Sequence, residues 1–408
     1  MKKTGTLNRV VSTILAVAFL GFVFTAFIVM VTGDFQGLRK SIQLTDDRLA
    51  QLPKGANPLD KLSARINGFT AEIADAMWLK TELGYANSAF QYALGKRMIN
   101  TGSQNMVRLN TGHLYDLNPY KDLSKNAADI VEQRNTVLKD YPFLFVYEHP
   151  TLYAEGMMPA GYDALDASAR MADEAVSALR AGGVEVLDSR DVLPNCGVPL
   201  DELLMVTDQH WSTRAAITMG QAVAGKLNDM TGAALDPSIL DMDNLNTLKH
   251  ERIFIGKYGQ RLGPALVTPD DITEYWPVGE TQIHRVTRHV KREVDVSGSF
   301  RDAATRFEVL ELPEGQTWNE RAYMLYGLTE SYSIFTNESA PDYTILLLKD
   351  SYAAPIGTFL SLLARNVVCV DLRQDVDPLP VWLEKYEPDA VVMAYSLQML
   401  RDDKYAFE

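Results

Sequence analysis

The stretch TILLLKDSYA, residues 344–353, predicts a buried β-strand that ends at a charged pair and a serine. Its apolar start is typical of a strand covered on both faces of a sheet. The strand pattern stops at Lys349, Asp350 and Ser351, and the helix-compatible run PIGTFLSLLARN begins four residues after the serine. Ligands of an open parallel sheet bind beyond the carboxyl ends of its strands. The order strand, serine, helix therefore predicts that the Ser351 hydroxyl stands at the functional edge of an α/β sheet.

Further strand and helix patterns alternate along the chain and predict a mostly parallel central sheet with helices on both faces. The segment 236–340 interrupts this alternation, because it has scattered Gly and Pro, short β-prone runs and no long helix pattern. We interpret it as a β-rich insertion. The strand patterns are FLFVYEHP at 143–150, VEVLDSRDVL at 184–193, NVVCVDL at 366–372 and DAVVMAY at 389–395, and the helix patterns are 126–138, 166–181 and 213–229.

The N-terminus predicts a membrane anchor. Residues 10–31 carry no charge, and a helix of this length spans ~33 Å at ~1.5 Å per residue, enough to cross a bilayer. Lys2, Lys3 and Arg9 precede the apolar run, so the positive-inside rule places the N-terminus in the cytoplasm. A cleaved signal peptide is the alternative, but the run is longer than a signal peptide's apolar core.

These patterns divide the chain into four parts. We expect a cytoplasmic tail at 1–9, a single transmembrane helix at 10–32, a stalk or linker at 33–58, and one extracytoplasmic domain at 59–408 that contains the insertion. The net charge of −14 argues against nucleic acid as a partner and against a polybasic membrane patch.

A serine nucleophile needs a base within hydrogen-bond reach and a group that orients the base. One of the six histidines, His210 in VTDQHWSTRAA, has an aspartate two residues earlier, Asp208. Side chains at this spacing point the same way if the backbone is extended, so the Asp208 carboxylate would hold one imidazole nitrogen. The competing interpretation is a turn aspartate followed by a loop histidine.

Taken together, these motifs carry a family resemblance. The sequence resembles the DHHW-type proteins of bacterial cell surfaces, which belong with the SGNH-hydrolase-like proteins of alginate O-acetylation. The resemblance implies an SGNH-hydrolase-like three-layer sandwich, with Asp208 as orienter, His210 as base and Ser351 as nucleophile. Gln209 stands where the family motif has a second histidine, and Lys349 stands where ordinary SGNH hydrolases have glycine. The matching segments are TDQHW at 207–211, FIGKYGQRLG at 254–263, YMLYGL at 323–328, LLLKDSYA at 346–353 and VDLR at 370–373.

The resemblance implies a membrane-anchored, extracytoplasmic O-acyltransferase, in the first instance an O-acetyltransferase, that modifies a cell-surface polysaccharide through an acyl-serine. It also implies a polytopic membrane acyltransferase as the partner that delivers the acyl group. A carbohydrate acetylesterase with the same Ser-His-Asp triad is one alternative. A non-catalytic polysaccharide-binding scaffold is another, although the presence of all three triad residues argues against it.

Three further residues are candidates for substrate binding. Arg373 ends the strand after Ser351, and its guanidinium could bind a sugar carboxylate or form a structural salt bridge. Tyr323 and Trp211 could stack on a sugar ring, although aromatic side chains beside a core more often pack there. We expect no cofactor. We also expect no metal site, because His284 and His289, at a spacing of five, do not by themselves suggest a metal-ligand geometry. For Asp350 we expect a helix-capping role, and for Lys349 a solvated strand end.

Overall fold

A computed structural model of the 408-residue chain describes residues 80–101, 104–149, 156–289, 292–327 and 330–402. The predicted tail, anchor and stalk lie outside the described residues. Within the described part of the chain, no helix is both long enough and apolar enough to span a membrane. The chain divides into two units between residues 87 and 88, and all elements below belong to 88–408 except the first eight residues of the helix Lys80–Ala93.

Strands and helices alternate over most of the described chain. The strands are β1 (Met98–Asn100), β2 (Asn105–Arg108), β3 (Leu114–Asp116), β4 (Phe143–Glu148), β5 (Glu185–Asp188), β6 (Leu245–Phe254), β7 (Asp270–Pro277), β8 (Ile283–His289), β9 (Arg292–Gly298), β10 (Tyr332–Thr336), β11 (Thr344–Lys349), β12 (Asn366–Val370) and β13 (Ala390–Ser396). The helices are α1 (Lys80–Ala93), α2 (Ser124–Asn135), α3 (Ser168–Ala181), α4 (Ser189–Val192), α5 (Leu200–Leu203), α6 (Thr213–Thr231), α7 (Lys257–Leu262), α8 (Phe300–Ala304), α9 (Ala354–Leu360), α10 (Leu379–Tyr386) and α11 (Leu397–Asp402).

The central sheet has eight strands in the order β5-β4-β13-β11-β12-β10-β8-β9. Neighbours from β5 to β12 are parallel, whereas β10, β8 and β9 extend the sheet with antiparallel pairs. This confirms the predicted α/β fold with a mostly parallel sheet. Two smaller antiparallel sheets, β1-β2-β3 and β6-β7, lie outside it.

The segment 236–340, interpreted from the sequence as a β-rich insertion, contributes strands to two different sheets. Three of its strands, β8 to β10, belong to the central sheet, and only β6 and β7 form their own ribbon. Strand β8 alternates buried and exposed side chains, which is the pattern of a strand with one covered face. Such a pattern predicts a strand but not its partner, because pairing depends on residues that are distant in sequence.

Helices pack on both faces of the central sheet. Alternate residues of β11 enter two different cores, since Ile345 and Leu347 face one side and Leu346 and Leu348 the other. Helices α6 and α9 cover the first face, and α2, α3, α10 and α11 cover the second. All four apolar residues are fully buried, as expected for a central parallel strand.

Ser351 follows the carboxyl end of β11, two residues after Lys349. Strands β4 and β13 end at the same edge, because Glu148 of β4 pairs with Ser396 of β13. Glu148 and Ser396 therefore lie at the same edge of the sheet as the serine, although Glu148 precedes Ser351 by 203 positions and Ser396 follows it by 45.

Candidate active site

Asp208 and His210 lie in the loop between α5 and α6. An antiparallel bridge between Leu204 and Trp211 closes this loop. Ser212 then caps α6, its hydroxyl accepting a hydrogen bond from the Ala215 N–H at 3.2 Å. The bridge and the cap fix both ends of a short loop, so the two side chains between them have little freedom.

A continuous chain of hydrogen bonds joins Asp208, His210 and Ser351. His210 Nδ1 lies 2.5 Å from Asp208 Oδ1, and His210 Nε2 lies 2.9 Å from Ser351 Oγ. Asp208 and His210 are buried, whereas Ser351 is partly exposed. The structure thus brings together the three residues that the sequence predicts as nucleophile, base and orienter, across 141 positions of the chain. A serine in this arrangement can pass its proton to the imidazole when it attacks.

The Asp208 carboxylate is held by backbone donors as well as by the histidine. The N–H of His210 donates to Oδ1 at 3.0 Å, and the N–H of Lys257 donates to Oδ2 at 2.8 Å. Burial alone would raise the pKa of Asp208, but His210 and these two N–H groups outweigh burial and lower it. The carboxylate therefore stays charged and can stabilise a protonated imidazole.

A second buried aspartate, Asp270, supports the loop that carries Asp208. Asp270, at the start of β7, accepts the N–H groups of Val206 and Thr207, both at 2.8 Å. The Thr207 hydroxyl donates to Asp270 at 2.5 Å and accepts the Gly256 N–H at 2.8 Å. Burial raises the pKa of Asp270 to about 6 despite these donors. The β6-β7 segment thus holds the Asp208 loop in place through hydrogen bonds.

Gly256 is required for space rather than for backbone freedom. Its φ of −73° suits any residue, but an added Cβ would lie 2.2 Å from Asp208 Cβ and 2.3 Å from Oδ2. Asp208 is buried, and its carboxylate is held on both oxygens, so it cannot yield without breaking those bonds.

We therefore expect Gly256→Ala to displace the Asp208 carboxylate and to slow acylation of Ser351 roughly 100-fold, as an ångström-scale misplacement does. The measurement is the burst of a chromogenic acetyl ester, with a thermal melt to verify folding. Gly225→Ala in α6 is the matched control, because nothing lies within 4 Å of its added Cβ. Equal burst rates for the two variants would contradict the role assigned to Gly256.

Two tyrosine rings enclose the His210 imidazole. The Tyr323 ring stacks on it with a centroid distance of 4.9 Å, and the Tyr352 ring lies at 4.5 Å, tilted by 42°. Tyr352 is buried, and its hydroxyl donates to the Gln209 carbonyl at 2.8 Å. Tyr323 is only partly buried. Of the predicted substrate contacts, Tyr323 is the one whose ring lies directly on the base.

The other aromatic candidate, Trp211, is a packing residue. Only 4% of its surface is exposed, its indole N–H donates to the Tyr352 carbonyl at 3.1 Å, and its ring meets Tyr352 edge to face. A buried indole leaves little surface for a sugar ring, so the structure supports the packing role that the sequence offered as the alternative. Its contacts instead hold the Tyr352 backbone beside Ser351.

Arg373 is engaged within the protein. Its Nε and Nη2 donate to the two Asp371 carboxylate oxygens at 2.8 and 2.7 Å. Such a bidentate pair is the geometry of a salt bridge that fixes a guanidinium. Of the two roles predicted from the sequence, the structure supports the salt bridge.

Lys349 and Asp350 differ from their predicted roles. Lys349 is buried rather than solvated, and its ammonium donates to the Glu330 carbonyl at 3.2 Å. Asp350 does not cap α9; its carboxylate accepts the N–H groups of Tyr352 and Ser396, both at 2.8 Å. Asp350 thereby ties the turn that carries Ser351 to the end of β13.

Sequence reasoning missed the residues that act through the backbone or through close approach. Asp208 is supported by Gly256, Lys257 and Asp270. Their residue types alone do not identify them as parts of an active site. The motif FIGKYGQRLG contains the first two, and it indicated only a resemblance. For Tyr352, the only indication in the sequence that it lies at the site is that it directly follows the predicted nucleophile, Ser351.

Neither a protein-family model nor a curated protein sequence matches this chain. Several solved structures do match this chain. A DHHW family protein from Eubacterium siraeum matches with a TM-score of 0.55 at 16% identity, over 76% of this chain and 99% of that one. PatB1 from Bacillus cereus matches with a TM-score of 0.58 at 13% identity, over 74% and 99% of the two chains. PatB1 solved with a sulfonyl adduct matches with a TM-score of 0.57 at 11% identity, over 74% and 97%.

These matches bear on the fold of the protein, since the sequence identities are low. They cover nearly the whole length of each of these three structures. The chain thus has an α/β fold that it shares with a DHHW family protein and with PatB1.

Proposed function

We propose that this protein is a membrane-anchored, extracytoplasmic O-acyltransferase, specifically an O-acetyltransferase that acts on a cell-surface polysaccharide through an acyl-serine. The observation that carries the proposal is the hydrogen-bond chain from Ser351 Oγ through His210 to a charged, buried Asp208. The motif resemblance to DHHW-type proteins, together with the shared fold, supports the choice of acyl transfer to a polysaccharide.

The two half-reactions use the same three residues. Ser351 Oγ attacks the donor's acetyl carbonyl while His210 Nε2 takes the serine proton, and the protonated imidazole then delivers that proton to the leaving group. In the second half-reaction His210 Nε2 removes the proton of a sugar hydroxyl, whose oxygen attacks the acyl carbonyl. The imidazolium returns this proton to Ser351 Oγ as the serine leaves. Asp208 balances the charge of the imidazolium in both steps.

The tetrahedral intermediates carry an oxyanion that needs donors. The backbone N–H of Ser351 is a candidate, because within the described residues it donates to no other group. A backbone donor at the nucleophile itself is a common part of an oxyanion hole.

The proposed location follows from the predicted anchor at 10–32. Outside the cytoplasm no acetyl-CoA is available, so a polytopic membrane acyltransferase would supply the acetyl group. The anchor would keep the domain beside that partner.

We expect the N-terminus to be cytoplasmic and the domain to lie outside the membrane, because the positive residues precede the apolar run. Protease is added to cells whose outer layers have been permeabilised while the membrane that holds the anchor stays sealed. It should remove an epitope at the C-terminus and leave an epitope at the N-terminus intact. Protection of the C-terminal epitope until the membrane is dissolved would contradict this topology.

The covalent step is tested by intact-mass analysis. The full-length protein is incubated with an activated acetyl ester and should gain the mass of one acetyl group, which peptide mapping should locate on Ser351. Ser351→Ala serves as the control and should gain none. Acetyl groups found only on lysines would contradict the proposed nucleophile.

A further inference from the structure

A buried glutamate lies at the carboxyl edge of the sheet, next to the turn that carries Ser351. Glu148 is the last residue of β4, and its surface is 0% exposed. No donor among the described residues reaches either of its carboxylate oxygens. A charged carboxylate in such a place would be costly, because burial without donors strongly disfavours the ionised form.

The neighbour of Glu148 is another carboxyl group, that of Asp350. Glu148 pairs with Ser396 of β13, and the Ser396 N–H donates to the Asp350 carboxylate at 2.8 Å, so the two carboxyl groups meet at this end of the sheet. They can form a hydrogen bond with each other only if one of them carries a proton. Asp350 already accepts two backbone N–H groups, from Tyr352 and Ser396, both at 2.8 Å. Glu148 has no such donors, so the proton belongs on the Glu148 side of the pair.

The ionisable side chains that act electrostatically on Glu148 include those of Asp350, Lys349, Arg373 and Tyr352. Burial, followed by Asp350, raises the pKa of Glu148 well above its ordinary value, although Arg373 and Lys349 act to lower it. Arg373 is bound to both oxygens of Asp371, and the Lys349 ammonium donates to the Glu330 carbonyl. The two cations therefore reduce but do not remove the cost of a second buried negative charge.

We propose that Glu148 is a protonated positioning residue that donates a hydrogen bond to Asp350 and thereby fixes the turn that presents Ser351 to His210. Asp350 then has three donors on its two oxygens: the N–H groups of Tyr352 and Ser396 and the Glu148 hydroxyl. Tyr352 follows Ser351 directly, so the orientation of the Asp350 carboxylate is passed to the serine through one peptide unit. The inference rests on the proposed function only in calling Ser351 the nucleophile.

The decisive variants are Glu148→Gln and Glu148→Met. Both remove the ionisable group and keep the side-chain length, but only glutamine retains a donor for Asp350. The measured quantity is the rate at which an arylsulfonyl fluoride labels Ser351. We expect the glutamine variant to keep this rate within about threefold of wild type. The methionine variant should be slower by roughly tenfold or more, because it leaves the buried Asp350 carboxylate without one of its donors. Equal rates for the two variants would overturn the proposal.

Infrared spectroscopy of the full-length protein tests the proton directly. At neutral pH the wild-type protein should show a carboxylic-acid C=O band that is absent from Glu148→Gln. If the difference between the wild-type and Glu148→Gln spectra shows only carboxylate bands, Glu148 is ionised and the proposal is wrong. This test does not need the methionine variant, so it remains decisive if that variant fails to fold. Neither measurement involves acetyl transfer, so a failure of the proposed transferase function would leave both results unchanged and would be recognised separately.

Discussion

We expect Ser351→Ala to lower acyl transfer by roughly 10⁴-fold or more, and His210→Ala to lower it to a similar extent. The first variant removes the atom that carries the acyl group, and the second removes the base that lies 2.9 Å from that atom. Because the two residues act as one unit, the double variant should be little slower than either single variant. The measurement is turnover of a chromogenic acetyl ester, with circular dichroism to verify that each variant is folded.

Asp208→Asn should cost less than either of these changes, because Asp208 orients the imidazole and does not transfer the proton. His284→Ala is the matched control. His284 also contacts an aspartate, Asp295 at 2.9 Å, but this pair is exposed on β8 and β9. We expect full activity from the control. Near wild-type turnover in Ser351→Ala would refute the assignment of the nucleophile, whatever the other variants do.

The sequence predicts the parts of the site that local patterns define. The apolar run before Ser351 defines a buried strand, and a strand followed by a helix places the serine at the sheet edge. The spacing of Asp208 and His210 defines a pair that shares a loop. The meeting of this pair with Ser351 required the family resemblance, because no local pattern specifies a contact across 141 residues.

Sequence reasoning is least informative for residues whose environment depends on distant parts of the chain. Lys349 ends a strand, and a lysine there is expected in solvent, but Glu330 provides a buried carbonyl for its ammonium. Trp211 adjoins the base in sequence, yet its indole points at the Tyr352 backbone. A lysine or a tryptophan can be buried or exposed, so the residue types of Lys349 and Trp211 do not decide between the two environments. The pairing of β8 to β10 with the central sheet was unpredictable for the same reason.

The structure also changes how transfer can be separated from hydrolysis. Shortening the segment 236–340 is the obvious test of a sugar-positioning role, but it would remove β8 to β10 from the central sheet. It would also remove Asp270 and Gly256, which support the Asp208 loop. Any loss of activity would then reflect damage to the triad. A single partly exposed residue that contacts His210 is a sharper probe, and Tyr323 is that residue.

A transferase must favour a sugar hydroxyl over water at ~55 M, and good positioning supplies roughly 7 to 11 kcal/mol through effective molarity. We therefore expect ping-pong kinetics, in which an acceptor oligosaccharide raises total turnover and appears acetylated in the product. Acetate as the only product at every acceptor concentration, with loss of acetyl groups from acetylated polymer, would identify an esterase instead.

The ratio of transfer to hydrolysis isolates the contribution of Tyr323. Both products come from the same acyl-serine, and His210 activates both the sugar hydroxyl and water. A variant that merely disturbs His210 therefore slows the two reactions together and leaves their ratio unchanged. Tyr323→Ala should lower the ratio roughly tenfold, the effect of one lost stacking contact. Tyr323→Phe keeps the ring that stacks on His210 and should keep the ratio. If both variants retain the wild-type ratio, the acceptor is held elsewhere and Tyr323 serves only to pack the base.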